Sequence, residues 1–144
     1  MDLMKGKKGI IFGVSNTHGI AYGIAKQLFD EGADIAFTYA GEAMEKRVKP
    51  IAESMNAKLI MSCDVTKEEC EKIYGKLDFV VHAVAFAPKE DLMGRFVDTS
   101  KEGWDIALGV SAYSLVRVCR HAEPLMNEGS SIFALTYLGS VLSV

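Results

Sequence analysis

Gly9-Ile10-Ile11-Phe12-Gly13-Val14-Ser15-Asn16-Thr17-His18-Gly19-Ile20-Ala21 reads as a strand, a tight turn and the start of a helix. Its first four residues form a short apolar run behind a basic start, which suits a strand buried in a parallel sheet. Gly13 permits a tight turn, and a loop of small and polar residues follows. From Ile20 to Phe29 the spacing is helical, with Ile20, Ile24 and Leu28 expected on one face beside Ala21 and Ala25. Glu31-Gly32 closes that helix with a glycine just past its end. At the helix N-terminus the unpaired N–H groups and the dipole favour a pyrophosphate, and Gly19 would let backbone and ligand come close. The spacing is not G-x-G-x-x-G, so an ordinary strand-to-helix turn stays open as a reading of these residues.

Asp34 to Tyr39 is a second strand-like run, and Gly41 to Met55 is amphipathic through Met44, Val48, Ile51 and Ala52. Lys58 to Ser62 is expected as strand three and Thr66 to Gly75 as a short helix. Leu77 to Ala83 is expected as strand four, Ala85 to Thr99 as a loop, and Ser130 to Thr136 as strand five. Ser100 is positioned to cap a helix reaching towards His121, with Glu102 in its first turn. Alternating strands and helices define an α/β class with a Rossmann-type, doubly wound parallel sheet, in strand order 3-2-1-4-5. The ligand crevice is expected between strands one and four. Only about ten residues separate strands three and four, tight for a crossover helix, so that helix must be about two turns long.

The chain has 144 residues, expected as a single dinucleotide-binding domain over 1–144, with 49% hydrophobic and 24% charged residues and a net charge of −3. That balance gives no footing for a nucleic-acid partner or an anionic membrane surface. The N-terminus lacks the apolar core of a signal peptide, and the weakly polar run Ile132 to Val144 is too short to span a bilayer. Cys63, Cys70 and Cys119 have neither metal-ligand nor redox spacing and read as free thiols of a cytoplasmic protein. No metal site is expected.

Several side chains stand where chemistry would be placed. Asp64, at the end of strand three, could accept a hydrogen bond from an adenine amino group with the Val65 N–H beside it, or could simply open the next turn. At the end of strand two, Tyr39-Ala40-Gly41 offers neither an acid for a ribose hydroxyl nor a base for a 2′-phosphate, and the absence of Lys or Arg at 40 and 41 favours NAD over NADP. Small residues after His82 leave room for a ribose and nicotinamide, while His82 itself reads as a core or rim histidine. Ser111-Ala112-Tyr113-Ser114 reads as a polar patch on a buried helix. Tyr137, beyond strand five, could hydrogen-bond a substrate carbonyl or be a rim aromatic.

Taken in order, Gly13-Val14, Ile20-Ala21-Tyr22-Gly23-Ile24-Ala25, Ala36-Phe37-Thr38-Tyr39, Cys63-Asp64-Val65, His82-Ala83-Val84-Ala85-Phe86-Ala87-Pro88, Ser111-Ala112-Tyr113-Ser114 and Leu135-Thr136-Tyr137-Leu138-Gly139 resemble the enoyl-acyl-carrier-protein reductases of bacterial type II fatty-acid synthesis. These are divergent short-chain dehydrogenases/reductases, and the resemblance covers residues 4 to 140. It implies that Gly13, Gly19 and Ile20 face the pyrophosphate side of NADH/NAD, that Ala40 touches the adenosine ribose, and that Asp64 and Val65 hold the adenine. It implies further that Val84 lies against a cofactor ribose, that Ala87 stands at the acyl site, and that Tyr137 is the first of two active-site tyrosines. The implied reaction is hydride transfer to the β-carbon of a trans-2-enoyl thioester carried on acyl carrier protein, with a tyrosine hydroxyl supporting the enolate oxygen. The family assembles homotetramers.

Two departures from the family pattern stand out. The second tyrosine and the lysine of the family lie beyond Val144, so the fold is expected to be truncated after about five strands and a catalytically dead dinucleotide-binding or interaction fragment is the alternative. The segment between Asp64 and Asp78 is also short for the third helix. The apolar faces of strands four and five are therefore expected to stand open on one side.

Overall fold

The structure is a computed structural model, and it describes residues 2–65 and 75–137. Five strands form one sheet: β1 Lys8–Phe12, β2 Asp34–Tyr39, β3 Ile60–Ser62, β4 Leu77–His82 and β5 Met126–Ala134. Their order is β3-β2-β1-β4-β5, and every pairing is parallel, as the alternation of elements predicts.

Helices cover both faces. α1 (Ile20–Asp30) and α2 (Glu42–Ser54) pack on one side, where Ile11, Ile35, Phe37, Phe79 and Val81 meet Ala21, Ala25, Val48, Ile51 and Ala52. The opposite face gathers Ile10, Phe12, Ala36, Leu77 and Val80 under Ala122 of α5 (Ser114–Ala122). Successive residues of each strand thus go to opposite cores, which is why β1, β2 and β4 read as unbroken apolar runs. Close packing of α1 rests on its two small residues, Ala21 and Ala25, both buried. Ile20 does not join them: it is 72% exposed, because the alanines set the phase of the helix and leave its first residue pointing away.

Three expected boundaries shift. The segment Ala85 to Thr99 is not all loop: it holds a one-turn helix α3 (Lys89–Leu92) and a 3-10 turn at Phe96–Asp98. Ser100 does cap a helix, its Oγ accepting from Gly103 N at 2.9 Å, but α4 (Lys101–Leu108) runs only to a π-helical turn at Gly109–Tyr113 before α5 resumes. β5 begins four residues earlier than expected, since Met126 already pairs with Leu77 and a bulge containing Gly129 (φ 74°) restores register at Ser131 opposite Phe79.

The expectation of two open strands also needs correction. β4 is buried except at Asp78, whereas β5 is exposed at Phe133 and followed by exposed Leu135. Cys63 is disulfide-bonded rather than a free thiol, while Cys119 is free. The short helix expected from Thr66 falls outside the described residues, as does the tail from Leu138 to Val144.

Asp78 ties the N-terminal ends of three strands together. Its carboxylate accepts from Lys8 N at 2.9 Å, Lys7 Nζ at 3.2 Å and Asn127 Nδ2 at 3.1 Å. These contacts hold its carboxyl below the ordinary range, the Lys8 amide contributing most and outweighing the opposing effect of burial.

A crevice across the C-terminal ends of four strands

Every strand of a parallel sheet points its carboxyl end the same way, so the loops leaving β1 to β4 converge on one edge. A crevice of about 700 Å³ opens there, which is within the range of small-molecule and cofactor sites. Along it lie Gly13 and Val14 after β1, Tyr39 and Ala40 after β2, Asp64 and Val65 after β3, and Val84 and Phe86 after β4, with Val110 of the π-turn closing one end. It is wider than a cleft between β1 and β4 alone.

Gly13 is the tightest point of this edge. Its φ is 92°, and a Cβ there would lie 2.0 Å from the Ala83 carbonyl oxygen, so only glycine fits. The next loop is held by Asn16, whose Oδ1 accepts from His18 N at 2.8 Å. Gly19 then stands at the N-cap of α1 with extended backbone (φ −79°), and no described side chain caps the helix or places a carboxylate in its first turn. The first N–H groups of α1 are therefore available to an anion. Unlike Gly13, Gly19 is not required sterically: a Cβ would meet nothing closer than Asn16 O at 3.7 Å.

At the β2 end, burial and the neighbouring Glu45 carboxylate push the Tyr39 hydroxyl above its ordinary range. Glu45 comes from the first turn of α2 and stands beside the Tyr39 hydroxyl, although it does not itself line the crevice. Only the fold reveals this, because the turn at Gly41 folds α2 back towards β2.

The β4 end is stitched to the π-turn. Phe86 N donates to Ser111 Oγ at 3.0 Å, and the same hydroxyl donates to Phe86 O at 3.2 Å. Beneath them His82, 2% exposed, places Nε2 at 2.7 Å from Ser114 Oγ, which donates to Val110 O at 2.6 Å. Burial lowers the basicity of His82, so it is a core histidine as its sequence context indicates. Its pairing with Ser114, 32 residues away, is invisible in the sequence. The only signal is that each is a polar residue among apolar ones.

Of the nine residues singled out from the sequence, Gly13, Ala40, Asp64, Val65 and Val84 share the crevice. Gly19 and Ile20 stand beside it at the head of α1, and half-buried Ala87 follows Phe86 at its rim. Tyr137 is not brought to it: three residues beyond β5, it is 70% exposed.

A doubly wound parallel sheet with a glycine-tight turn and an uncapped helix at its carboxyl edge defines the Rossmann class of α/β proteins. Residues 13–144 match the family model described as Enoyl-(Acyl carrier protein) reductase, and the chain belongs to that family. Enoyl-(acyl-carrier-protein) reductase (NADH) 1 of Rhizobium meliloti is 44% identical over 146 residues, covering 96% of this chain and 54% of that protein. An enoyl-(acyl-carrier-protein) reductase of Anaplasma phagocytophilum, solved in complex with NAD, superposes with a TM-score of 0.90 at 45% identity, over 99% of this chain and 57% of the other. The Bacillus cereus enoyl-acyl carrier protein reductase, solved with NADP+ and indole naphthyridinone, gives 0.90 at 41% identity, over 100% of this chain and 60% of the other. The chain thus spans little more than half the length of the relatives it matches. Among the described residues no helix is long and apolar enough to cross a membrane.

Proposed function

We propose that this chain provides the dinucleotide site of an NADH-dependent enoyl-acyl-carrier-protein reductase, acting in the cytoplasm on a trans-2-enoyl thioester carried by acyl carrier protein. The observation that carries the reading is the convergence of Gly13, Ala40, Asp64, Val65 and Val84 on one crevice beside an uncapped helix N-terminus. The residues present fit a dinucleotide: Gly13 is a cradle that a Cβ would fill, and the volume is sufficient.

In this reading Asp64 accepts the adenine amino group and the Val65 N–H donates beside it. Ala40 leaves room for the adenosine ribose. Gly13, Gly19 and Ile20 present backbone to the pyrophosphate, and Val84 packs on the second ribose. When bound, the cofactor supplies the hydride that reduces the β-carbon of the enoyl thioester. Ala87 borders the acyl chain, and the Tyr137 hydroxyl donates to the thioester oxygen as negative charge grows there. Exposure of Tyr137 requires that it turn inward over the β4 end for this role. Homotetrameric assembly is part of the same proposal, and exposed Leu108, Tyr113 and Val116 on the α4–α5 surface support it.

The test is binding and turnover of the chain with NADH and a crotonyl thioester. Saturable NADH binding is expected, with turnover only where a partner chain supplies the family's lysine, and that turnover should fall on Tyr137→Phe at unchanged NADH affinity. Absence of NADH binding at millimolar concentration would overturn the reading. Binding with no turnover even when a partner chain supplies that lysine would favour a binding module without chemistry.

A further inference from the structure

Between the β4 loop and the π-turn lies a buried hydrogen-bond chain that the proposed reaction does not use. A serine hydroxyl has one proton, and the Val110 carbonyl can only accept. The Ser114 proton therefore goes to Val110 O at 2.6 Å, and the 2.7 Å contact to His82 requires Nε2 to carry the hydrogen. His82 is thus a donor, held neutral by burial, at the end of β4. The chain runs from the sheet through Ser114, which is 0% exposed, to the backbone of Val110, and Val110 lines the crevice together with Val84 and Phe86. A π-turn is a place where a helical ladder is locally loosened, and here the Ser114 hydroxyl, four residues on in the same helical run, gives the Val110 carbonyl an additional donor.

We propose that His82 is a positioning residue that, through Ser114, fixes the Val110 wall of the crevice and thereby sets affinity for the nicotinamide half of the dinucleotide. This rests on the nucleotide reading of the crevice. It adds that the β4 end is tuned separately from the β3 end, where Asp64 and Val65 stand at the far side of the strand order. A merely structural role for the pair would weaken every ligand of the crevice together or none of them.

The experiment compares NADH with ADP, which lacks the nicotinamide half, on the whole 144-residue chain. Ser114→Ala strands the His82 N–H and is expected to weaken NADH about fivefold or more while ADP stays within about twofold. His82→Gln, whose amide can donate from a similar place, is expected to retain NADH affinity. Should Ser114→Ala not fold, Val110→Ala alters the wall without touching the hydrogen bonds and is expected to show the same split. Equal loss of NADH and ADP, no loss of either, or a His82→Gln variant as weak as Ser114→Ala would overturn the inference. A native chain that binds neither NADH nor ADP would overturn the nucleotide reading itself; one that binds both leaves the variants to decide.

Discussion

Gly13 passes so close to Ala83 that a Cβ at position 13 would lie 2.0 Å from the Ala83 carbonyl oxygen. Two adjacent strands, β1 and β4, therefore leave the sheet with their backbones in close approach, at the edge where Gly13 and Ala83 both line the crevice. Gly13→Ala must open this contact and also hold an alanine at φ 92°. It should destabilise the chain by about 2–4 kcal/mol and abolish nucleotide binding. Gly19→Ala, by contrast, meets open space and an ordinary φ, and should change stability by less than about 1 kcal/mol. Denaturant unfolding of both variants checks the contrast.

Asp64→Ala should weaken NADH and ADP alike, by about fivefold to thirtyfold, because it removes an acceptor for the adenine that both ligands carry. Fluorescence titration with each ligand measures it. A loss confined to NADH would place the adenine elsewhere in the crevice.

Acid should loosen the sheet at Asp78. Its folded-state pKa lies below the unfolded value of about 3.9, so its stabilisation is complete above that pH and is lost as pH falls through the folded value. Asp78→Asn should cost about 1–3 kcal/mol at neutral pH, since a largely buried carboxylate with three donors is replaced, and it should flatten the stability profile below about pH 4. Thermal melts across pH 2.5–7 (roughly the span of the two limits) read both effects.

His82 should add a separate, earlier window. Its folded-state pKa is depressed, so the unfolded chain takes up a proton below about pH 6.5 while the folded chain resists it. Stability should therefore decline from about pH 6.5 downward and level off once the folded histidine also titrates. His82 is 2% exposed and its ring is held by the Ser114 hydroxyl, so His82→Gln should remove this slope and leave the Asp78 window in place. The same melts, repeated on the variant, separate the two.

Much of this fold is written in local pattern. β2 runs from Asp34 to Tyr39 as the apolar run indicates, and Ser100 caps α4 through Gly103 N, because such signals act within a few residues. Ile20 misleads since spacing alone does not say which of two neighbouring stripes packs, and the smaller Ala21–Ala25 stripe allows closer approach to the sheet. The early start of β5 is hidden by the polar Asn127 to Ser130, which occupy a bulge rather than a turn. At the site, residues immediately after β1, β2, β3 and β4 were legible because a parallel sheet gathers its carboxyl ends. Tyr137 is legible as a candidate but not in its placement, since three residues past a strand end the backbone direction is no longer set by the sheet and the side chain stands 70% exposed. Glu45 comes to Tyr39 and Ser114 to His82 from helices, and only tertiary packing makes those pairs.

The Asp78 clasp and the crevice occupy opposite ends of β4, a strand only six residues long. From Asp78 to His82 the backbone climbs about 13 Å, more than one Debye length at physiological ionic strength. A charge gained or lost at the clasp is therefore weakened by distance and by the ions around the strand's exposed ends before it reaches the nucleotide edge. Resistance to acid and grip on the ligand become independently adjustable traits, open to separate change by selection or by design on the same sheet.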